Sequence, residues 1–396
     1  MRPGRKTDPT MTLFSRLSLR PLAALALFTG LFASAQAAPV PPAPTLENKA
    51  FVVMDFDSGR ILAESNADTA LPPASMTKMM TSYLVEQALK TGRLKPTDMV
   101  QVSEYAWCRG TNTESCMYLP LHGSASVIDM LRGIIIQSGN DASKAVAEHL
   151  AGNEPAFAAM MNSEAKRLGM ANTNFVNATG LPDPAHKASA RDLAILARAI
   201  IHDSSEYYSL YAEKEFTYNG IKQGNRNALL YTDPTVDGLK TGHTNEAGFC
   251  LTASSKRNGQ RLITVVMGTQ SMQARADQTR ALFNWGFASY ENIRPVQGGS
   301  SVQSVPVRFG KVDQVNIGSL QDVVMTVPRG QAAKVKTEVQ VNPEITAPIA
   351  KGDVLGKILV TLDGQLQGEQ ALVALEPVEE AGFFKKLWQR ILSWFA

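Results

Sequence analysis

A serine and a lysine that could act as nucleophile and base stand three residues apart in segment 73–78, Pro-Ala-Ser-Met-Thr-Lys. If a helix begins near Pro73, the side chains of Ser75 and Lys78 lie on one face, one turn apart. Because an attacking serine must lose its proton, it needs a neighbouring base with a free lone pair. Lysine meets that need only if burial or a second cation lowers its pKa. The pattern therefore predicts covalent catalysis through Ser75 and a second cation elsewhere.

The spacing alone is weak evidence, because a Ser-x-x-Lys pattern is expected about once by chance in a chain of this length. A second match, Ser163 and Lys166, is best interpreted as an exposed polar helix face. The rest of the chain must therefore supply a proton relay, an amide donor and the second cation.

Two further motifs contain such groups. Ser138-Gly139-Asn140 lies where one predicted helix ends and the next begins, a corner that can aim a hydroxyl and an amide into a cleft. Lys240-Thr241-Gly242 leads into a predicted hairpin, where a strand can present the first two side chains to a groove and the glycine permits close backbone approach. The same triplet at 90–92 ends a helix, so we interpret it as structural.

Composition limits the class of protein. The chain has 396 residues, of which 44% are hydrophobic, enough for a large core and more than one domain. The net charge is +3 and no long basic run is present, so nucleic acid is not an expected partner.

The N-terminus predicts export. A basic leader, an apolar stretch at about 21–32 and small residues at 35–37 indicate a signal peptide over residues 1–37, followed by a proline-rich linker at 38–45. Met11 is an alternative start, and a retained anchor is disfavoured because the apolar stretch is short. In an oxidising compartment Cys108 and Cys116 could close a small loop or remain thiols, while Cys250 is expected to be unpaired.

Hydrophobic periodicity predicts an α+β fold over residues 46–292. Two strands near 50–63, helices at 75–90, 126–136, 141–151, 155–168, 190–201 and 274–290, and a strong hairpin at 249–267 indicate an antiparallel sheet with flanking helices. From 293 to 380 only short strand patterns appear, which predict a separate small all-β domain. That domain contains no nucleophile and base arrangement.

Residues 381–396 predict an amphipathic helix. Phe384, Leu387, Trp388, Ile391 and Phe395 fall on one face, and basic and polar side chains fall on the other. Such a helix is expected to lie on an anionic membrane with its basic face toward the head groups. The alternative is a tail packed on its own β domain.

In this order, Ser75-Met76-Thr77-Lys78, Ser138-Gly139-Asn140 and Lys240-Thr241-Gly242 resemble the three signature motifs of penicillin-binding proteins and serine β-lactamases. The middle motif has Gly where class A β-lactamases have Asp, and in this the chain is similar to D-alanyl-D-alanine carboxypeptidases of the low-molecular-mass S11 type. Segments 136–142 and 236–240 and both C-terminal elements extend the likeness over nearly the whole exported chain. The resemblance implies a transpeptidase-like fold with a helical subdomain, and neither a cofactor nor a metal.

The resemblance also implies roles for the residues. Ser75 would attack the carbonyl between the last two D-alanines of a peptidoglycan stem peptide, with Lys78 accepting its proton, and β-lactam antibiotics would acylate the same serine. Ser138 would relay the proton to the departing D-alanine, and Asn140 would hold the peptide and Lys78. The expected location is the periplasmic face of the bacterial inner membrane.

The third motif would bind the substrate. Lys240 is the expected second cation: it would lower the pKa of Lys78 and, with Thr241, attract the terminal carboxylate. The backbone of His243 would form the oxyanion hole with that of Ser75, and a general-base role for the imidazole is disfavoured. Arg226 resembles a position near the carboxylate pocket, with an exposed loop arginine as the alternative.

Three rival functions remain. A β-lactamase needs an efficient deacylating base, and the match of Glu215 and Asn219 to one such motif lies in a strand-like run that we interpret as chance. An endopeptidase that cuts cross-links would use the same residues. A non-catalytic protein that binds stem peptides and shapes the wall is disfavoured, since a pure binder has no need of a nucleophile.

Overall fold

A computed structural model of the chain describes residues 40–108 and 114–392. The predicted signal peptide at 1–37, the first two residues of the predicted linker and the last four residues of the terminal helix lie outside the described residues.

Sixteen strands and eight α-helices occupy the described part of the chain. The strands are β1 Ala50–Asp55, β2 Ile61–Ser65, β3 Met99–Gln101, β4 Ser124–Ser126, β5 Glu215–Tyr218, β6 Ile221–Gly224, β7 Val236–Thr244, β8 Gly248–Arg257, β9 Gln260–Thr269, β10 Tyr290–Val296, β11 Ser301–Pro306, β12 Gln314–Gly318, β13 Val323–Pro328, β14 Val335–Val341, β15 Val354–Leu362 and β16 Gln365–Ala374. The helices are α1 Lys78–Lys90, α2 Val127–Ile135, α3 Asn140–Ala151, α4 Glu154–Leu168, α5 Ala190–Asp203, α6 Leu229–Thr232, α7 Met272–Ser289 and α8 Phe383–Leu392.

The first domain is built on a five-stranded antiparallel sheet of order β2-β1-β9-β8-β7. Side chains along β1 alternate between its faces: Ala50, Val52 and Met54 pack toward helices α1 to α5, whereas Phe51 and Val53 pack toward α7. Because helices cover both faces, the strand is a continuous hydrophobic run. The sheet is therefore a rigid central layer whose edge strand β7 carries the Lys240 motif.

Local sequence signals set the ends of the elements. Asn258 and Gly259 have φ angles of +49° and +82° and form the tight turn between β8 and β9, as their sequence predicts. Ser126 accepts a hydrogen bond from the backbone N–H of Asp129 and caps α2. Helix α7 ends at Ser289 rather than at the predicted residue 290, because Tyr290 is extended and begins β10.

The second domain is an antiparallel β unit. Its main sheet has the order β11-β12-β16-β15-β14, and β10 pairs with β13 beside it. Strands β10 and β12 were not predicted from the sequence. Strand β10 follows α7 without a break and contains a proline, and β12 alternates but has only five residues. The junction with the first domain includes Ser58 and Arg60, which contact the hydroxyl and the carbonyl of Thr326 at 2.6 and 2.8 Å.

Helix α8 rests on the second domain with part of its polar face. Lys385 forms an ion pair with Asp313 at 2.8 Å, and the Gln389 side chain accepts the backbone N–H of Phe309 at 2.6 Å. Part of the polar face thus contacts the β domain, as the alternative of a packed tail predicts, and the orientation of the helix on a membrane stays a prediction. Within the described residues, no helix is both long enough and apolar enough to cross a bilayer.

Candidate active site

Ser75 lies in a 3₁₀ turn, Ala74–Thr77, that runs directly into α1. A 3₁₀ turn has three residues per turn, so side chains at i and i+3 are nearly eclipsed. The Nζ atom of Lys78 consequently lies 3.1 Å from the Oγ atom of Ser75. The sequence predicted the start of an α-helix here. The 3₁₀ turn also places Ser75 and Lys78 side by side, at hydrogen-bonding distance.

Two glycines let neighbouring backbone segments approach the Ser75 turn. A Cβ atom on Gly242 in β7 would lie 2.8 Å from the carbonyl oxygen of Pro73. Gly180 has a φ of +83°, and a Cβ atom there would lie 1.9 Å from the carbonyl oxygen of Ala74. Since any side chain at either position would displace the turn, the glycines allow the serine to be held between a strand and a loop.

Lys78 is fully buried, and three oxygen atoms surround its amine. Besides Ser75 Oγ, these are Asn140 Oδ1 at 2.7 Å and the carbonyl oxygen of Thr179 at 2.6 Å. Burial, followed by the positive charge of Arg226, lowers the pKa of Lys78 to about 7. A neutral amine is therefore well populated near neutral pH, as a base for Ser75 requires.

Ser138 and Lys240 form a second serine and lysine pair across the cleft. Ser138 has a φ of +61° and lies between the end of α2 and the start of α3. The Nζ atom of Lys240 donates to Ser138 Oγ at 2.9 Å and to the carbonyl oxygen of Thr241 at 3.0 Å. Burial, and then the charge of Lys78, lower the pKa of Lys240 well below its ordinary value. The principal cause of the lowered pKa of Lys78 is burial, rather than the second cation that the sequence led us to expect.

Ser75 opens onto a cleft with two halves. One half, about 580 Å³, is lined by Ser138, Arg226, Thr241, Gly242, His243 and Arg275 among others. The other half, about 470 Å³, is lined by Asn140, residues 179–182 and residues 243–246 among others. A peptide that extends on both sides of a reacting carbonyl at Ser75 has room in such a cleft.

The first half of the cleft carries a cluster of cations. Arg226 donates to Ser115 Oγ at 2.7 Å, and Arg275 donates to the carbonyl oxygen of Arg226 at 3.2 Å. Arg226 is exposed, as the alternative of a loop arginine predicted, but the surrounding protein partly desolvates it and lowers its pKa. Burial lowers the pKa of Arg275 to about 10. With Lys240 nearby, the cluster favours an anionic group such as a carboxylate.

The imidazole ring of His243 stacks on the ring of Phe249, with the two centroids 4.0 Å apart. It makes no hydrogen bond to Ser75, Lys78 or Lys240. Ser163 and Lys166, the second Ser-x-x-Lys match, lie exposed on α4 and line neither half of the cleft. The structure thus brings Ser75, Lys78, Ser138, Asn140, Lys240 and Arg226 into one site.

Three contributors were missed in the sequence. Arg275 lies near the start of α7 with no motif around it, Thr179 acts through its backbone carbonyl, and Glu114 lies in an irregular segment. Neither a backbone oxygen nor a lone charged residue gives a sequence signal. Only the spatial arrangement identifies them.

Comparisons with known proteins agree with this geometry. Residues 35–271 match the Peptidase S11 family, D-alanyl-D-alanine carboxypeptidase, and residues 290–380 match the C-terminal domain of penicillin-binding protein 5. The chain is 42% identical to D-alanyl-D-alanine carboxypeptidase DacC of Escherichia coli K12, over 98% of this chain and 100% of that protein.

Solved structures extend the likeness to three dimensions. The crystal structure of penicillin-binding protein 5 from Haemophilus influenzae matches with a TM-score of 0.80 and 43% identity, covering 86% of this chain and 100% of that chain. Penicillin-binding protein D2 from Listeria monocytogenes in its cefotaxime-bound form matches with a TM-score of 0.57 and 30% identity, covering 62% and 100%.

These matches confirm the predicted fold class, an α+β unit followed by a small all-β domain. They define the class of the protein as a serine peptidase with a transpeptidase-like fold. Within that class, the chain belongs to the D-alanyl-D-alanine carboxypeptidase family.

Proposed function

We propose that this protein removes the terminal D-alanine from peptidoglycan stem pentapeptides through an acyl-enzyme on Ser75. The observation that carries the proposal is the 3.1 Å contact between Ser75 and a buried lysine whose pKa is about 7. Lys78 takes the hydroxyl proton as Ser75 attacks the carbonyl between the two last D-alanines. The names of the relatives support the choice of substrate.

Ser138 and Lys240 complete the proton path. Their 2.9 Å contact supports a relay that delivers a proton to the departing amine of D-alanine. Asn140 holds Lys78 through its carbonyl oxygen and lines the half of the cleft that takes the peptide. Water then enters and hydrolyses the acyl-enzyme.

The substrate's terminal carboxylate binds in the cationic half of the cleft. Lys240, Thr241, Arg226 and Arg275 supply the positive charges and the hydroxyl. The oxyanion lies between the backbone N–H groups of Ser75 and His243, where Gly242 permits close approach. β-Lactams carry a comparable carboxylate and acylate Ser75, which the cefotaxime-bound form of the Listeria protein supports.

The experiment is D-alanine release from a pentapeptide ending in D-Ala-D-Ala, measured beside fluorescent penicillin labelling. Wild-type protein should release D-alanine and retain the label, and Ser75→Ala should lose both. Ser163→Ala, in the second Ser-x-x-Lys match, is the matched control and should behave as wild type. Labelling without release would favour an endopeptidase, rapid loss of label a β-lactamase, and neither activity a non-catalytic binder.

We also propose that the protein is exported and attaches through α8 to the periplasmic face of the inner membrane. Phe384 and Trp388 on α8 are 85% and 61% exposed, and Leu387 and Ile391 are exposed beside them. A row of large apolar side chains left in water favours burial in a lipid interface. We also propose the domain limits 46–292, 293–380 and 381–396, of which the two family matches support the first two.

A further inference from the structure

The amide of Asn140 is held between two charged groups. Its Oδ1 atom accepts from Lys78 Nζ at 2.7 Å, and its Nδ2 atom donates to Glu114 Oε2 at 2.8 Å. The neutral amine of Lys78 can donate or accept a hydrogen bond, whereas a carboxylate can only accept, so the contact with Glu114 selects the orientation in which the amide oxygen faces Lys78. Without Glu114, the amide could rotate and present its NH₂ group to Lys78.

Glu114 is itself well placed for this task. Its side chain is only 18% exposed, it forms an ion pair with Lys144 at 3.6 Å, and it lines both halves of the cleft beside Ser75. Charge-assisted hydrogen bonds to a largely buried carboxylate are stronger than neutral ones. The contact to Asn140 is therefore a strong orienting interaction.

A disulfide closes the loop that contains Glu114. Cys108 and Cys116 are bonded, with Cα atoms 6.1 Å apart and a sequence separation of 8. On the C-terminal side the chain is docked on the start of α3: Asn140 N–H donates to the Ser115 carbonyl at 2.7 Å, and Met117 N–H donates to Asp141 at 2.8 Å. The disulfide adds a covalent link between Cys116, two residues after Glu114, and Cys108.

We propose that Glu114, restrained by the Cys108–Cys116 disulfide, is a positioning residue for acylation that fixes the amide of Asn140 so that its oxygen faces Lys78. The inference rests on the proposed roles of Ser75 and Lys78 and adds a residue that acts through Asn140. It assigns the disulfide a role in the chemistry in addition to any role in stability.

The carboxylate also acts on the base through its charge. The charged groups that face Lys78 are Glu114 and Asp141, which raise its pKa, Arg226 and Lys144, which lower it, and Lys240 across the cleft. His186 also interacts with Lys78, but burial lowers the pKa of this imidazole to about 4, so it stays neutral over the acid limb. Glu114→Gln keeps an acceptor for Asn140 but removes one negative charge, so the pKa of Lys78 should fall. Glu114→Ala removes both the charge and the acceptor.

The test compares both variants with Glu104→Gln, the same charge change at an exposed residue of the preceding segment. We expect Glu114→Ala to slow acylation by a chromogenic β-lactam by about tenfold to a hundredfold, the effect of losing a hydrogen bond to a charged group. Glu114→Gln should restore most of that rate, with the acid limb of its pH profile moved to lower pH. Acylation by Glu114→Ala as fast as by Glu104→Gln at every pH would overturn the proposal.

The disulfide is tested on the folded wild-type protein. A small dithiol such as dithiothreitol transfers two electrons and two protons, so that Cys108 and Cys116 become thiols and the reagent becomes a cyclic disulfide. Reduced protein and Cys108→Ser/Cys116→Ser should both acylate several-fold more slowly, and the double variant should not respond to the reagent. A reduced protein with an unchanged acylation rate would refute the role of the disulfide. Ser75→Ala should be inactive whether or not the disulfide affects acylation. An active Ser75→Ala protein would instead mean that the proposed function is wrong.

Discussion

The pKa of one residue sets the expected pH dependence of the reaction. Lys78 must be neutral to accept the proton of Ser75, and burial lowers its pKa to about 7. We expect the second-order acylation rate to rise about tenfold per pH unit below pH 7, because the neutral fraction of one amine grows in that proportion. The rate should level off above that pH.

The measurement is acylation by a chromogenic β-lactam that does not titrate between pH 5 and 9. An acylation rate that still rises tenfold per pH unit between pH 8 and 9, as a base with the ordinary lysine pKa of about 10.4 would give, would contradict the assignment of Lys78 as the base. The control is binding of the same β-lactam to Ser75→Ala, which reports any titration of the carboxylate pocket.

At the scale of elements, the active site depends on the contact between β7 and the 3₁₀ turn that holds Ser75. A Cβ atom on Gly242 would lie 2.8 Å from the carbonyl oxygen of Pro73 and 3.2 Å from the backbone nitrogen of Met76. Gly242→Ala should therefore separate the strand from the turn, slow acylation at least tenfold and destabilise the protein by about 1–3 kcal/mol.

Gly368→Ala in β16 is the matched control, since nothing lies within 4 Å of its added Cβ atom. Thermal unfolding and acylation kinetics check both variants. A Gly242→Ala protein with wild-type kinetics would show that the close approach has no part in positioning Ser75.

At the scale of the whole molecule, the described residues form an α+β unit that holds the cleft, a β domain and a terminal helix, and we expect the helix to serve attachment rather than catalysis. Deleting residues 382–396 removes α8 and its exposed apolar side chains but touches no residue of the cleft. The truncated protein should release D-alanine from soluble peptide at the full-length rate and fail to sediment with anionic lipid vesicles. Full-length protein should sediment.

Retention of the truncated protein on vesicles would contradict attachment through α8. Trp388→Gln in the full chain is a milder variant, because it keeps the helix and removes one exposed ring. It should weaken sedimentation without abolishing it.

The sequence alone predicted the fold class and most elements, because their signals are local. Alternation and the Asn258-Gly259 pair predict the β8–β9 hairpin, and helix caps such as Ser126 mark helix ends. The three motifs are also local signals, because each contains the residue types needed for covalent catalysis at a fixed spacing. Strand β12 was missed although its residues alternate, because it has only five residues and its pairing with β11 and β16 cannot be seen in the local sequence.

The sequence by itself determined which residues could react: a serine with a lysine three positions on, a second serine and a second lysine. Tertiary structure alone decided their environment. Burial of Lys78, the approach of Gly180 and Gly242 to the Ser75 turn, and the joining of Arg275 to Arg226 all depend on contacts between segments far apart in the chain. A pKa depends on desolvation and on distances to charges in space, and neither quantity is present in local sequence.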